Sequence, residues 1–276
     1  MTLQTDVAAH YGRDELLARL DAALRQLGKD PTRLTIDDLA PIDEFHARGR
    51  EATVEIAAAL PAGITGEVLD IGSGIGGPAR YLAARYGLEV AGIDLTPQCV
   101  ATARELTRRC GLEDRVRFLE ADATRMPFAS GSFAAAVTVH AAMNIADKEA
   151  LYGETARVLV PGAAFVIYDI LQGPGGEVAY PTPWSMDGRT SFLVDPPALC
   201  RLLADAGFEV LEIRDRTAES IEWFEAMAAR AAAAGGPPPV GLHLLFGPVF
   251  AEMRDNLLRN LREARIAPTL IRAVRR

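Results

Sequence analysis

The chain has 276 residues, 49% of them hydrophobic and 24% charged, with a formal net charge of −8. That composition supplies a sizeable core, and the acidic balance excludes the basic face a nucleic-acid binder needs. No apolar run approaches the roughly 18 residues of a membrane span, and the opening MTLQTDVAAHYGRDELL lacks a signal-peptide core, so no membrane contact and a cytoplasmic location are expected.

Taken in chain order, residues 1–60 read as a helical segment, with ELLARLDAALRQLG repeating apolar residues at the helical period. From about residue 66, strand-like and helix-like stretches alternate, the pattern of a sheet covered by helices. EVLDIG (67–72) is a first strand, and PARYLAARYG a helix with Pro78 in its first turn and Gly87 past its end. LEVAGIDL (88–95) is a second strand, and Thr96–Pro97 opens a helix that runs to Gly111. RVRFLEAD (115–122) and SFAAAVTVH (132–140) follow as strands; Asp147 then caps a helix that ends at Pro161–Gly162. AAFVIYDIL (163–171) is a fifth strand. Asp195–Pro196 opens another helix, and FEVLEIRD (208–215) is a sixth strand. Two helices split by GGPPP (235–239) and a closing strand, IAPTLIRAV (266–274), end the chain. The expected fold is an α/β, Rossmann-like, doubly wound sheet of about seven strands. Residues 61–215 form its core, residues 1–60 an N-terminal helical lid, and residues 216–276 a second lid with the closing strand.

The stretch VLDIGSGIGG (68–77) places Gly72, Gly74 and Gly77 between a strand and a helix, where backbone N–H groups and a helix N-terminus converge. Asp94 lies twenty residues past Gly74, at the end of the second strand, where a carboxylate takes ribose hydroxyls. The spacing fits a nicotinamide dinucleotide and S-adenosylmethionine equally. Asp70 separates them: a carboxylate two residues before the loop repels a pyrophosphate and suits an ammonium or sulfonium ligand. Asp122, at the end of the third strand, is placed to accept a hydrogen bond from an adenine amino group.

VLDIGSGIGGPARYLA, VAGIDLTP, EADATRMPF, the segment around His140 and ARVLVPGAAFVI resemble, in order and spacing, the successive motifs of class I S-adenosylmethionine-dependent methyltransferases. Together with IDEFHARGREAT (42–53), they resemble the sarcosine/dimethylglycine N-methyltransferase-like branch, which shares much with sterol- and ubiquinone-type C-methyltransferases. The resemblance implies S-adenosylmethionine as cofactor. It further implies that Gly72, Ser73 and Gly74 line the methionine moiety with Asp70 assisting, Asp94 and Leu95 meet the ribose and adenine, and Asp122 and Ala123 meet the adenine edge. His140 faces the reactive methyl, as a base or as a plain wall, and Tyr11 closes over the methionine end. His46, Arg48 and Thr53 cover the cofactor from the N-terminal side. Arg48 stands where that branch often has glycine, and its structural alternative is a solvated helix residue.

YPTPWSMDGRTSFLV (180–194) is a long connection at the carboxyl edge of the sheet, which makes Tyr180, Trp184, Ser191 and Phe192 candidates for substrate binding together with His46. Trp223, Phe224 and Phe246 are candidates for the lid. Two lysines, Lys29 and Lys148, both read as exposed, and neither suits covalent catalysis. Cys99, Cys110 and Cys200 have no metal-ligand spacing and read as buried thiols in helices, so no metal is expected. The expected activity is methyl transfer to a small molecule. An NAD-dependent oxidoreductase and a non-methylating S-adenosylmethionine-binding lyase or cyclase remain as alternatives, and a homodimer stays open.

Overall fold

The computed structural model describes residues 16–276, so Tyr11 lies outside the described residues. Seven strands form one sheet: β1 (Val68–Ile71), β2 (Val90–Asp94), β3 (Val116–Glu120), β4 (Phe133–Val139), β5 (Leu159–Gln172), β6 (Phe208–Asp215) and β7 (Ile266–Arg275). Their order is β3-β2-β1-β4-β5-β7-β6, with β7 antiparallel to both its neighbours and the remaining pairs parallel. The chain reverses between β1 and β2 on one side and β4 on the other, and the β1 carboxyl end is therefore the switch point at which open α/β sheets bind ligands.

Helices cover both faces. On the N-terminal side lie α1 (Leu16–Gln26), α2 (Ile36–Asp43) and α3 (Gly49–Ala59); α4 (Gly77–Tyr86) and α5 (Pro97–Arg109) follow β1 and β2. α6 (Lys148–Val158) and α7 (Pro196–Asp205) precede β5 and β6. α8 (Thr217–Ala233), a single turn α9 (His243–Phe246) and α10 (Phe250–Arg262) lead to β7. Asp147 and Asp195 cap α6 and α7 as their sequence suggests, accepting from the N–H groups of Ala150 and Ala198. The one clear boundary difference is at α6: it stops at Val158, and β5 runs through Pro161–Gly162. The residue before a proline is pushed toward extended backbone, which ends the helix early.

Two buried layers sandwich the sheet. One gathers Leu69, Ile71, Phe133, Phe165 and Phe208 with the inner faces of α6 and α7; the other gathers Val68, Val90, Val137, Val166 and Tyr168 with α3, α4 and α5. The N-terminal helices are tied to this core by a buried ion pair. Arg80 of α4, fully shielded from solvent, donates to both Asp43 carboxylate oxygens at 2.6 and 3.3 Å and to Thr107 of α5 at 3.1 Å.

Three expectations are corrected here. Lys148 is buried, not exposed: its ammonium donates to the carbonyls of Ala142 and Ile145, and burial pulls its pKa down to about 8. Of the three thiols only Cys99 is buried; Cys110, at the C-cap of α5, and Cys200, within α7, are half-buried. Arg48 is not a solvated helix residue. It precedes α3 with φ +68°, the left-handed region where glycine is at home, and its guanidinium holds Glu55 at 2.6 Å.

Candidate functional site

A cavity of about 290 Å³ opens at the carboxyl ends of β1 and β2. Its walls include Asp70, Gly72, Ser73 and Gly74 from the β1 turn, Asp94 and Leu95 from β2, and Asp122 and Ala123 after β3. The sequence separates these groups by up to 53 residues, from Asp70 to Ala123, and the parallel sheet brings them together at one edge.

The turn is held by β2. Gly72 and Ser73 donate their N–H groups to the Ile93 carbonyl, and Gly74 donates to Asp94 Oδ2 at 2.9 Å. The other Asp94 oxygen accepts from the Thr96 N–H at 2.8 Å. Burial raises the Asp94 pKa, while these two backbone donors pull it back toward the ionised form. A methyl added at Gly74, φ +52°, would project into open space, and one added at Gly72 would lie 2.2 Å from the Ala141 methyl group. The first glycine thus leaves room for a ligand, and the second leaves room for the β4 loop.

Asp70 is buried, and its Oδ2 has no hydrogen-bond donor. Burial first, and then the negative charge of Asp94, push its pKa up to about 7. Ser73 Oγ is likewise buried without a partner. Unsatisfied buried acceptors and hydroxyls are rare in folded chains, and their convergence on one cavity is the signature of a polar ligand. Asp122 is engaged locally: its Oδ1 accepts from the Thr124 N–H and hydroxyl at 2.8 and 2.7 Å.

At its far end the cavity meets a second, narrower one of about 50 Å³. Phe45, His46 and His140 border both. The second cavity is walled mainly by Met143, Trp184, Trp223, Phe224, Phe250 and Leu257, and no carboxylate lines it. His140 follows β4 with φ +49°, its ring stacked on Tyr168 at 5.2 Å. Its Nε2 is buried with no partner, and burial holds its pKa well below 6.5. The imidazole is therefore neutral at neutral pH. His46 faces it edge to face at 5.9 Å.

The connection after β5 behaves differently from its sequence reading. Trp184 lines the second cavity, and Ser191 serves it indirectly, accepting the indole N–H at 2.8 Å. Tyr180 and Phe192 line neither cavity: the Tyr180 ring packs against Gly188, and Phe192 is tied to the Met143 carbonyl by its backbone. Trp223 and Phe224 reach the second cavity, whereas Phe246 lines the first. Phe250, Leu257 and Met143 escaped sequence reasoning, because an apolar helix face looks the same whether it meets a core or a cavity. Asn144 escaped for another reason: its amide donates to the Trp184 and Thr190 carbonyls at 2.8 and 2.7 Å, a link visible only in three dimensions.

Residues 69–167, from β1 into β5, match the methyltransferase domain family. This chain carries a methyltransferase domain over residues 69–167. Methyltransferase GfsG of Streptomyces halstedii is 35% identical to it over 134 residues, 49% of this chain and 48% of that protein. The chain spans between 28% and 60% of the length of the curated relatives it matches. Among solved structures, geranyl diphosphate C-methyltransferase from Streptomyces coelicolor A3(2), in complex with Mg2+, geranyl diphosphate and S-adenosyl-L-homocysteine, aligns with a TM-score of 0.72 at 19% identity. That alignment covers 100% of this chain and 99% of the other. The cyclase SpnF aligns at 0.69 and 20%, over 100% and 97%. These structural likenesses establish the fold of the methyltransferase domain and its flanking helices together. Within it, the cavity at the ends of β1, β2 and β3 occupies the switch point.

Proposed function

We propose that this protein transfers the methyl group of S-adenosylmethionine to a small-molecule acceptor by in-line displacement. The observation that carries the reading is the buried, donorless Asp70 Oδ2, set in the same cavity as Asp94 and the open face of Gly74. An ammonium group fits Asp70, and two ribose hydroxyls fit the remaining lone pairs of Asp94. A pyrophosphate would instead meet an unscreened carboxylate, which disfavours a nicotinamide dinucleotide.

In this reading Gly72, Ser73 and Gly74 hold the methionine end, and Leu95, Asp122 and Ala123 flank the adenine. Bound there, S-adenosylmethionine supplies an electrophilic methyl carbon on a positively charged sulfur. The protein then needs no electrophile of its own; it aligns the nucleophile with the carbon–sulfur axis and keeps water out. The acceptor enters through the second cavity, with Trp184, Trp223 and Phe224 against its apolar face. His140 forms the wall beside the methyl group, since its Nε2 is buried without a partner and no carboxylate lies beside it to support an imidazolium. The segments 16–60 and 216–276 act as lids. Among the described residues no helix is long and apolar enough to cross a membrane.

Calorimetric titration with S-adenosylhomocysteine and, separately, with NAD tests this. Micromolar-range binding of the former, lost in Asp94→Ala, is expected; binding of NAD alone would return the site to an oxidoreductase. Product mass distinguishes the cyclase-like alternative, because methyl transfer adds one methyl group and cyclisation adds none.

A further inference from the structure

His46 stands on the wall shared by the two cavities and is buried. Its Nε2 lies 3.1 Å from the Gly49 carbonyl, which can only accept, and 3.0 Å from Thr53 Oγ1. The single Thr53 hydroxyl proton is committed to Glu44 Oε2 by a very short hydrogen bond. Nε2 must therefore carry the proton and donate, which leaves the lone pair on Nδ1. That atom makes no hydrogen bond among the described residues.

Behind the ring sits Glu44, buried, with Oε2 3.6 Å from His46 Nε2 and Oε1 2.6 Å from Arg50. A proton arriving on Nδ1 would create an imidazolium whose other N–H already points at Thr53 and Gly49, with a carboxylate one shell further out. The groups facing it are Glu44, Arg48, Arg50, His140 and the Tyr168 ring, 6.1 Å away. Burial, with the Arg50 and Arg48 charges, holds the His46 pKa down to about 4, so the ring stands neutral and able to accept a proton; of the facing groups Glu44 alone offsets the added charge. His140 has no such arrangement.

Resting on the methyl-transfer reading above, we propose that His46 is the base of the reaction, oriented through Nε2 by Gly49, Thr53 and Glu44, and that the acceptor is a neutral hydroxyl compound with a flat apolar end. The second cavity sets the acceptor class. Its aromatic walls take a planar group; Arg254, the one charged side chain among its lining residues, is paired with Asp255, and with no carboxylate lining the cavity a cationic amine would have no counter-charge. In the step itself, the acceptor oxygen bonds the methyl carbon and the carbon–sulfur bond breaks, leaving its electron pair on sulfur. The hydroxyl proton goes to His46 Nδ1. Charge balances, since one sulfonium is lost and one imidazolium gained.

The test measures methyl transfer to phenol and to 4-nitrophenol in mildly alkaline buffer, where the second is already an anion and needs no base. His46→Gln keeps a donor toward Gly49 and cannot take the proton. Transfer to phenol should fall on the order of a hundredfold or more, and the loss with 4-nitrophenol should be roughly tenfold smaller at least. S-adenosylhomocysteine binding should stay within about twofold of wild type. If His46→Gln loses that binding, Glu44→Gln carries the test with the same phenol-selective loss. Equal losses with both phenols would overturn the base assignment, as would wild-type protein that binds S-adenosylhomocysteine and methylates neither phenol. Wild-type protein that fails to bind S-adenosylhomocysteine would overturn the methyl-transfer reading instead.

Discussion

The backbone N–H of Gly74 donates to Asp94 Oδ2 across 2.9 Å, so the acid at the end of β2 builds the glycine turn as well as facing the cavity. Removing the carboxylate should have two separable effects. Asp94→Ala leaves the Gly74 and Thr96 N–H groups unpaired and should lower stability by about 1–3 kcal/mol. Asp94→Asn keeps one acceptor oxygen and should lose less stability, yet still weaken S-adenosylhomocysteine binding by roughly tenfold or more through the lost charge-assisted bonds. Thermal unfolding paired with calorimetric titration of both variants separates the two. Equal ligand affinity in wild type and Asp94→Asn would refute the ribose assignment.

Gly72 and Gly74 should respond oppositely to alanine. At Gly74 the added methyl meets no protein atom within 4 Å, so Gly74→Ala carries only the strain of φ +52°, about 1 kcal/mol, while its methyl occupies ligand space. At Gly72 the methyl would lie 2.2 Å from that of Ala141, and the β4 loop must move. Gly74→Ala should fold, with a melting temperature a few degrees lower and little ligand binding. Gly72→Ala should be destabilised by several kcal/mol. A Gly74→Ala protein that binds S-adenosylhomocysteine normally would place the ligand elsewhere.

Asp70 gives a pH prediction with a defined sign. Its pKa is pushed up to about 7 in the folded chain, against an ordinary 3.8. The folded state thus holds a proton the unfolded state has released, and this contribution to stability is complete below about pH 4 and lost as pH rises through about 7. His46, lowered to about 4, and His140 pull the other way below 6.5, so total stability does not isolate the effect. A comparison does: wild type should lose more stability than Asp70→Asn between pH 5.5 and pH 8, by about 1 kcal/mol or more. Affinity for S-adenosylhomocysteine should rise over the same interval in wild type and stay flat in the variant. Parallel curves for the two proteins would show that Asp70 does not meet the ligand's ammonium group.

The Arg80–Asp43 pair carries the attachment of α2 to the core. Arg80→Met alone strands a buried carboxylate and should cost about 3–5 kcal/mol, whereas the double substitution Arg80→Met with Asp43→Leu should recover much of that loss. Denaturant unfolding of the wild type, single and double variants measures the difference. A double variant no better than the single would mean that the ion pair's geometry, rather than its stranded charge, secures the helix.

Much of this protein was legible in its sequence. The alternation of strands and helices, the glycine turn, and the spacing from Gly74 to Asp94 are properties of a strand–helix–strand unit whose geometry is nearly independent of the rest of the chain, so counting residues locates both ends. Asp147 and Asp195 declared themselves as helix caps because a cap is a contact three residues long. What only the tertiary structure decided lies on the acceptor side. The second cavity takes Phe45 and His46 from the N-terminal segment, Trp184 from the connection after β5, Trp223 and Phe224 from α8, and Phe250 and Leu257 from α10. No local period relates those positions, and their meeting depends on how four separately buried apolar faces pack. The same holds for charge: Lys148 and Glu44 look like ordinary surface residues in the sequence. Their buried settings, and the proton affinities that follow, arise because distant segments close over them and remove the water.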